Sequence, residues 1–169
     1  MKRVMVIGCS GAGKSTFSKR LHSITKIEVI HLDQYYWKSN WVESNTEEWT
    51  KTAEALTQKE EWIMDGNYGR TMDIRIERAD TIVYLDYSAL RCLWRITKRT
   101  WKYFGQERPD MHKGCKERFD LDFYHYVATY NIRRRKKNLK KLDSLKHSKS
   151  IVILKNDKEV SRFLSTLDV

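Results

Sequence analysis

Eight residues near the N-terminus constrain this chain more than any other feature of its sequence. The run from Gly8 to Ser15 reads GCSGAGKS, which matches the pattern G-x-x-x-x-G-K-[ST] of a phosphate-binding loop. Its glycines let the backbone wrap closely around an anion, and successive N–H groups then point inward at it. An apolar run at 4–7 predicts a strand before this phosphate loop, and residues 14–24 predict a helix after it.

The phosphate loop (residues 8–15) predicts a site for ATP or GTP. We expect the phosphates to be surrounded by Gly8, Ser10, Gly11, Ala12, Gly13, Lys14, Ser15 and Thr16. Lys14 is expected to reach the β- and γ-phosphates and is therefore a predicted catalytic residue. The Ser15 hydroxyl is expected to coordinate Mg²⁺.

Five apolar runs of strand length alternate with helical patterns along the 169 residues. Strands are predicted at 4–7, 27–32, 62–64, 81–85 and 150–154, and helices at 14–24, 46–60, 70–78, 88–104, 120–146 and 157–167. This alternation indicates an α/β fold with a parallel sheet and right-handed crossovers. The length suits one domain, so we predict a single domain over residues 1–169.

An acidic residue follows each of the three strands after the first, namely Asp33, Asp65 and Asp86. Ligands of open parallel sheets bind beyond the carboxyl ends of the strands, so some of these carboxylates should face the phosphates. We predict that Asp33 is catalytic and holds the acceptor or takes its proton. Asp65 is expected to orient Mg²⁺ through water or to accept a substrate hydrogen bond. The alternative, strongest for Asp86, is that the acid only caps a loop or helix.

Aromatic residues follow Asp33 closely, at Tyr35, Tyr36, Trp37 and Trp41. Beside a phosphate site, such a segment predicts a pocket for a flat or apolar acceptor group, with Trp37 among its contacts. Packing of these side chains against the edge of the sheet would explain them equally well.

Arginines recur every four residues along the helix predicted at 88–104, at Arg91, Arg95 and Arg99. Cations on one face suit the stabilisation of a phosphoryl group in transfer, and we predict catalytic roles for Arg95 and Arg99. The polar segment 105–118 that follows, with its glycines and single proline, predicts a lid that closes through Arg108 or Arg118. The alternative for the arginines is that they lie on a helix face that is simply solvated.

Positive charge is concentrated in one part of the chain. The formal net charge is +11, and residues 91–141 hold 16 Lys/Arg against 5 Asp/Glu. Within them lies the basic cluster (residues 133–141), which has seven cations and is denser than a nucleotide requires. It predicts an anionic partner, and nucleic acid is one candidate. The alternative is an amphipathic helix whose charges are simply solvated.

The motifs GCSGAGKS, HLDQYYW, WIMDGNYG and RPDMHKGCKERFD resemble the adenylate kinase-like branch of P-loop kinases, and more closely the bacterial DNA topology modulation proteins. The resemblance implies a three-layer P-loop fold, a sheet of order 2-3-1-4-5 and a helical lid. Arg95 and Arg99 are similar to the branch's R-x-x-x-R pair, of which the first packs on adenine and the second meets phosphate. Asp65-Gly66 resembles the start of its D-G-F-P-R motif, which implies substrate contacts for Gly66 and Arg70.

Two departures from that branch leave the acceptor open. Gly69 stands where the motif has its arginine, with Arg70 one residue later, and no arginine follows the second strand. Asp33 stands there instead, as in kinases of small metabolites. We therefore predict a kinase that uses ATP or GTP with Mg²⁺ and phosphorylates a hydroxyl or phosphate acceptor. The alternatives are a nucleotide-regulated nucleic-acid-binding protein that affects DNA topology and, ranked lower, a plain nucleoside triphosphatase.

The expected location is the cytoplasm, without a membrane partner. Only four apolar residues separate Met1-Lys2-Arg3 from Gly8, which is too few for the apolar core of a signal peptide. Three widely spaced cysteines do not form a disulfide framework.

Overall fold

Strands and helices alternate along residues 1–167, the part of the chain that the computed structural model describes. The strands are β1 (Arg3–Gly8), β2 (Val29–His31), β3 (Trp37–Lys38), β4 (Val42–Glu43), β5 (Trp62–Asp65), β6 (Thr81–Leu85) and β7 (Ser150–Leu154). The helices are α1 (Lys14–Thr25), α2 (Leu32–Tyr36), α3 (Thr46–Thr57), α4 (Met72–Arg78), α5 (Ala89–Tyr103), α6 (Leu121–Tyr130), α7 (Lys136–Leu145) and α8 (Asp157–Ser165).

The main sheet has five parallel strands in the order β2-β5-β1-β6-β7. β1 is central and pairs with β5 on one side and β6 on the other, with Val4 opposite both Ile63 and Thr81. Such a strand has no solvent-facing side, which is why the run from Val4 to Ile7 is apolar throughout. The predicted α/β fold, parallel sheet and strand order are confirmed.

Helices cover both faces of this sheet and bury a core on each. On one face, Phe17 and Leu21 of α1 pack with residues of α5, α6 and α8. On the other face, Trp49 of α3 and Ile76 of α4 pack against β1, β5 and β6. The phosphate loop leaves the central strand β1 between these two cores, and its residues Cys9 and Ala12 belong to the first of them.

Residues 32–43 differ from the prediction that the second strand continues to Leu32. β2 ends at His31, α2 follows at once, and β3 and β4 form an antiparallel hairpin in which Trp37 pairs with Glu43. The backbone N–H of Ser44 donates to the Tyr36 carbonyl at 2.9 Å and closes the hairpin. Strands of two residues are shorter than any periodicity can reveal, so this hairpin escaped prediction.

The resemblance implied a helical lid. The lid (residues 105–118) is instead irregular, and the helices α5 and α6 lie on either side of it. The helical stretch predicted at 120–146 is observed as α6 and α7, joined by a π-helical turn at Asn131–Arg135. No helix within residues 1–167 combines the length and the apolar character that crossing a membrane requires.

α5 forms as predicted, and several of its large apolar side chains face solvent. The side chains that it buries are Cys92, Ile96 and Thr100, while Trp94 is 60% and Trp101 88% exposed. The buried side chains are small because α5 packs closely against the phosphate loop, where bulky indoles would not fit.

Candidate functional site

The phosphate loop leaves β1 at Gly8 and enters α1 after Gly13, which has a φ of 96° and stands at the N-terminus of the helix. A hydrogen bond of 3.0 Å from the Ala12 N–H to the Cys9 carbonyl holds the turn. The Lys14 ammonium donates to the Gly8 and Cys9 carbonyls at 3.0 and 3.2 Å. Lys14 therefore lies across the loop, in position to meet a phosphate held by the backbone N–H groups.

Gly11 shows why this loop requires glycine. Its φ is +86°, and a Cβ built there would lie 2.5 Å from the Cys92 carbonyl oxygen of α5. Any side chain would push α5 away from the loop. The arginines that α5 carries are thereby kept next to the phosphate site.

A cavity of about 1180 Å³ extends from the phosphate loop to the hairpin of β3 and β4 (residues 37–43), the aromatic hairpin, which contributes Trp37 and Trp41 to its lining. Every predicted site residue other than Gly8 and Arg70 lines it. Gly8 lies beneath the cavity, where a Cβ would come within 2.6 Å of the Leu85 carbonyl oxygen. Arg70 is exposed and donates to the Thr46 hydroxyl at 2.6 Å, so the structure does not bring it together with the other site residues.

The two predicted catalytic arginines lie on the phosphate side of the cavity. Arg95 donates to the Ala12 carbonyl at 3.2 Å and to Asp157 at 2.7 Å, and its guanidinium lies 4.9 Å from the centre of the Tyr87 ring. Arg99 is bonded to Glu117 at 3.1 Å. Arg95 therefore contacts the phosphate loop directly, whereas Arg99 is tied to the lid.

The lid is anchored through a buried carboxylate. Glu117 accepts hydrogen bonds from Thr100 at 3.0 Å and Arg99 at 3.1 Å, and it pairs with Arg108 at 2.7 Å. With its side chain only 4% exposed, Glu117 joins the lid to the underside of α5. Arg108 and Arg118, the two predicted closing residues, both line the cavity, and Arg118 pairs loosely with Asp120 at 3.6 Å.

The other edge of the lid rests on the segment that carries the aromatic hairpin. Gln34 donates to the Pro109 carbonyl at 2.9 Å, and the Trp41 indole donates to the Lys116 carbonyl at 2.8 Å. The predicted lid segment therefore spans from α5 to the hairpin, and its residues Arg108, Asp110 and Arg118 line the cavity.

The far end of the cavity is built around Asp33. The Tyr68 hydroxyl donates to its carboxylate, and the Tyr68 ring packs on Tyr36 and Trp49 at centroid distances of 4.6 and 4.8 Å. Burial raises the pKa of Asp33, and the nearby charge of Asp65 raises it further, while the hydrogen bond from Tyr68 opposes the shift. Asp33 is thus an aromatic-walled carboxylate with an elevated affinity for protons.

Asp65 faces a histidine that the sequence did not single out. Its two carboxylate oxygens lie 3.0 and 2.9 Å from Nδ1 of His31, and both side chains are nearly buried. Burial alone would lower the pKa of His31, but the hydrogen bond and charge of Asp65 outweigh it and raise that pKa. Both oxygens of Asp65 are therefore engaged by the imidazole at the edge of the cavity.

One loop connects the acids to the phosphate loop. The acceptor loop (residues 66–71) carries Asn67, whose side-chain oxygen accepts from the Gly8 N–H at 3.1 Å. Arg75 has no exposed surface and donates to the carbonyls of Gly66, Asn67 and Tyr68 at 2.8, 2.7 and 3.0 Å. Arg75 escaped prediction because nothing in its local sequence distinguishes it from a solvated helix arginine.

Some cations of the basic cluster have partners within the molecule, and the others are exposed. Arg135 pairs bidentately with Asp86, with two distances of 2.7 Å, so Asp86 has a structural partner. Arg134 lines the cavity with its guanidinium 5.0 Å from the centre of the Tyr126 ring, and Lys141 pairs with Asp73. The other cations, Arg133, Lys136, Lys137 and Lys140, are exposed.

The sequence and the fold were compared with those of known proteins. No protein-family model matches the chain, and no curated protein matches it. Among solved structures, a shikimate kinase from Bacteroides thetaiotaomicron aligns with a TM-score of 0.59 at 13% identity, over 98% of this chain and 95% of that one. The fold is that of the P-loop kinases. A deoxyadenosine kinase from M. mycoides aligns with a TM-score of 0.51 at 14% identity, over 98% of this chain and 97% of that one.

A sugar kinase from Janibacter sp. gives a TM-score of 0.53 at 18% identity, over all of this chain and 95% of that one. At such low identity, these likenesses establish the P-loop kinase fold and nothing finer. The resemblance to DNA topology modulation proteins is tested by none of them and stays a prediction.

Proposed function

We propose that this chain is a kinase that transfers the γ-phosphoryl group of ATP or GTP to a hydroxyl group of a small acceptor. The observation that carries the proposal is the single cavity of about 1180 Å³ that joins the phosphate loop to Asp33 under one lid. A carboxylate repels an acceptor phosphate but accepts a hydrogen bond from a hydroxyl. Kinases that share the fold are named for deoxyadenosine, shikimate and sugar.

The residues of the phosphate end would bind the donor nucleotide. Lys14 would turn from the carbonyls of the phosphate loop to the β- and γ-phosphates, and Arg95 would neutralise charge beside them. Oxygen ligands suit Mg²⁺, and the Ser15 hydroxyl and nearby carboxylates supply them. When bound, Mg²⁺ neutralises charge on the triphosphate. Asp65, held by His31, would contact that ion through water.

The residues of the far end would bind the acceptor. Asp33 would accept the hydroxyl proton as the new phosphate ester forms, a role that its raised pKa favours. The rings of Tyr36, Trp37 and Trp41 line the same end and offer flat apolar surfaces. A ring-containing acceptor with a free hydroxyl, such as a nucleoside or a cyclic polyol, suits this lining.

The test is a screen for acceptor-dependent ADP release. Nucleosides, nucleoside monophosphates, sugars and other small alcohols are each added to protein with Mg-ATP or Mg-GTP, and the rate is compared with that without acceptor. We expect a hydroxyl compound to raise the rate. A rate that no compound raises would instead indicate a plain triphosphatase, and stimulation by monophosphates alone would refute the choice of a hydroxyl.

Replacing Asp33 with asparagine is expected to lower kcat about 10²- to 10⁴-fold, because the base that accepts the proton is lost. The nucleotide Kd should stay within about twofold, since Asp33 lies at the acceptor end. In the wild type, kcat should fall as the pH drops through the raised pKa of Asp33, because only the carboxylate accepts a proton. The variant should lack this acidic limb of the pH–rate profile.

The matched control for Asp33→Asn is Asp143→Asn, which makes the same change at an exposed position of α7 outside the cavity. Its kcat should equal that of the wild type. An unchanged kcat for Asp33→Asn would show that another group accepts the proton.

A second candidate function, nucleotide-regulated binding of nucleic acid with an effect on DNA topology, is favoured by one observation. The exposed cations Arg133, Lys136, Lys137 and Lys140 lie close together in sequence. If they contact phosphates, the logarithm of the binding constant for duplex DNA should fall steeply with the logarithm of salt concentration, by about 0.9 for each contact.

Replacing these four cations with glutamine should flatten that slope, while the intramolecular pairs of Arg135 and Lys141 are left in place. The measurement is fluorescence anisotropy of a labelled duplex across salt concentrations. A slope near zero in the wild type would count against this candidate.

A further inference from the structure

A lid carboxylate contacts the serine of the phosphate loop. The Ser15 hydroxyl donates to Oδ2 of Asp110 at 3.1 Å, although 95 residues separate them in sequence. Ser15 is the residue whose hydroxyl the motif assigns to Mg²⁺. Asp110 escaped prediction because it lies among many charged residues of an irregular segment.

Asp110 is held in place from its other side. Arg108 donates to its two oxygens at 3.3 and 3.2 Å, and Arg108 is itself paired with the buried Glu117 at 2.7 Å. The side chain of Asp110 is 19% exposed, so its carboxylate faces the cavity with part of its acceptor capacity free. The lid therefore presents a fixed carboxylate to Ser15.

The two other acids at this edge of the sheet have partners other than Ser15, which is why Asp65 would reach the ion only through water. Both oxygens of Asp65 contact His31, and Asp33 accepts from the Tyr68 hydroxyl. Asp110 is the acid whose carboxylate the structure places against the Ser15 hydroxyl. One hydroxyl with one carboxylate matches what Mg²⁺ takes from proteins that bind nucleotides, since most of its shell is phosphate and water.

We propose that Asp110 is a ligand, direct or through one water, of the Mg²⁺ that Ser15 and the triphosphate hold. The lid then closes on the magnesium complex of the nucleotide and disfavours the free nucleotide, because without the ion a carboxylate would face the phosphates. This inference rests on the proposed binding of a nucleoside triphosphate in the phosphate loop.

The experiment is a comparison of four dissociation constants by isothermal titration calorimetry. ATP is titrated into the wild type and into Asp110→Asn, once with excess MgCl₂ and once with EDTA. Asparagine keeps an oxygen that accepts from Ser15 but removes the charge. Asp143→Asn, at an exposed position of α7 outside the cavity, is the matched control.

In the wild type, Mg²⁺ is expected to tighten ATP binding at least about tenfold, and Asp143→Asn should show the same ratio. In Asp110→Asn the ratio should fall to about one-third or less of the wild-type value, because free ATP binds more tightly and Mg-ATP more weakly. Charge neutralisation next to the phosphates predicts the first change, and loss of a ligand predicts the second.

A different result has a distinct meaning in each case. If both affinities of Asp110→Asn shift together and the ratio is unchanged, Asp110 only holds Ser15, and the proposal is overturned while triphosphate binding stands. If the wild type binds ATP under neither condition, and GTP likewise, the proposed function itself fails and this inference fails with it.

Discussion

Replacing Lys14 with alanine is expected to weaken Mg-ATP binding about 100-fold and to remove acceptor-dependent ADP release. The ammonium lies 3.0 and 3.2 Å from two carbonyls of the phosphate loop, so it is within reach of a phosphate bound there. A hydrogen bond to a charged group contributes about 1.5–3 kcal/mol, and about 1.4 kcal/mol corresponds to a tenfold change in affinity. Isothermal titration calorimetry of both proteins measures the difference.

The control for Lys14→Ala is Lys19→Ala, which removes an exposed ammonium from the same helix. It accounts for the general effect of lowering the positive charge near the site. Wild-type binding no tighter than that of Lys14→Ala would contradict the assignment of the phosphate loop. Equal losses of affinity in Lys14→Ala and Lys19→Ala would show that Lys14 acts only through its positive charge and not through a specific contact.

Replacing Arg75 with methionine is expected to lower the free energy of unfolding by about 3 kcal/mol. The substitution leaves the carbonyls of the acceptor loop without donors, at about 1–3 kcal/mol for each group that water cannot reach. Removing a buried charge offsets part of this loss, since burial has already lowered the pKa of Arg75 to about 10. Urea denaturation measures the change in the free energy of unfolding. Thermal denaturation should show a fall in Tm of about 6–12 °C.

Arg75→Met should also weaken acceptor binding more than nucleotide binding, because the acceptor loop carries the tyrosine that contacts Asp33. The matched control is Arg78→Met on the same helix, which removes a single bond of 3.3 Å to the Thr57 carbonyl. Equal stability of the two variants would show that the acceptor loop does not depend on Arg75.

The sequence was most informative where structure depends on neighbouring residues. The apolar run of β1, the glycines of the phosphate loop and the first turns of α1 are adjacent in the chain, and each was predicted within about one residue. Asp33 and Asp65 both line the cavity, because the carboxyl ends of parallel strands share one edge, and the roles assigned to them stay predictions.

Residues far apart in the chain were harder to predict. Asp86 was expected either to face the phosphates or, more in line with its sequence, to cap a loop or helix, and its actual partner is Arg135, 49 residues away. The helix α5 was predicted correctly, but the pairing of Gly11 with Cys92 and Ile96, which brings α5 against the phosphate loop, was not. Neither contact has a local signal.

By itself, the sequence determined the sheet, the phosphate loop and the acids at the strand ends, since hydrophobic periodicity and backbone requirements act over a few residues. Only the tertiary structure decided which contacts the lid and the acceptor loop make. Ser15 meets Asp110, and Arg75 meets the carbonyls of residues 66–68, because chain segments distant in sequence pack together. Such pairings depend on the position of whole elements in space, which the pattern of neighbouring residues does not specify.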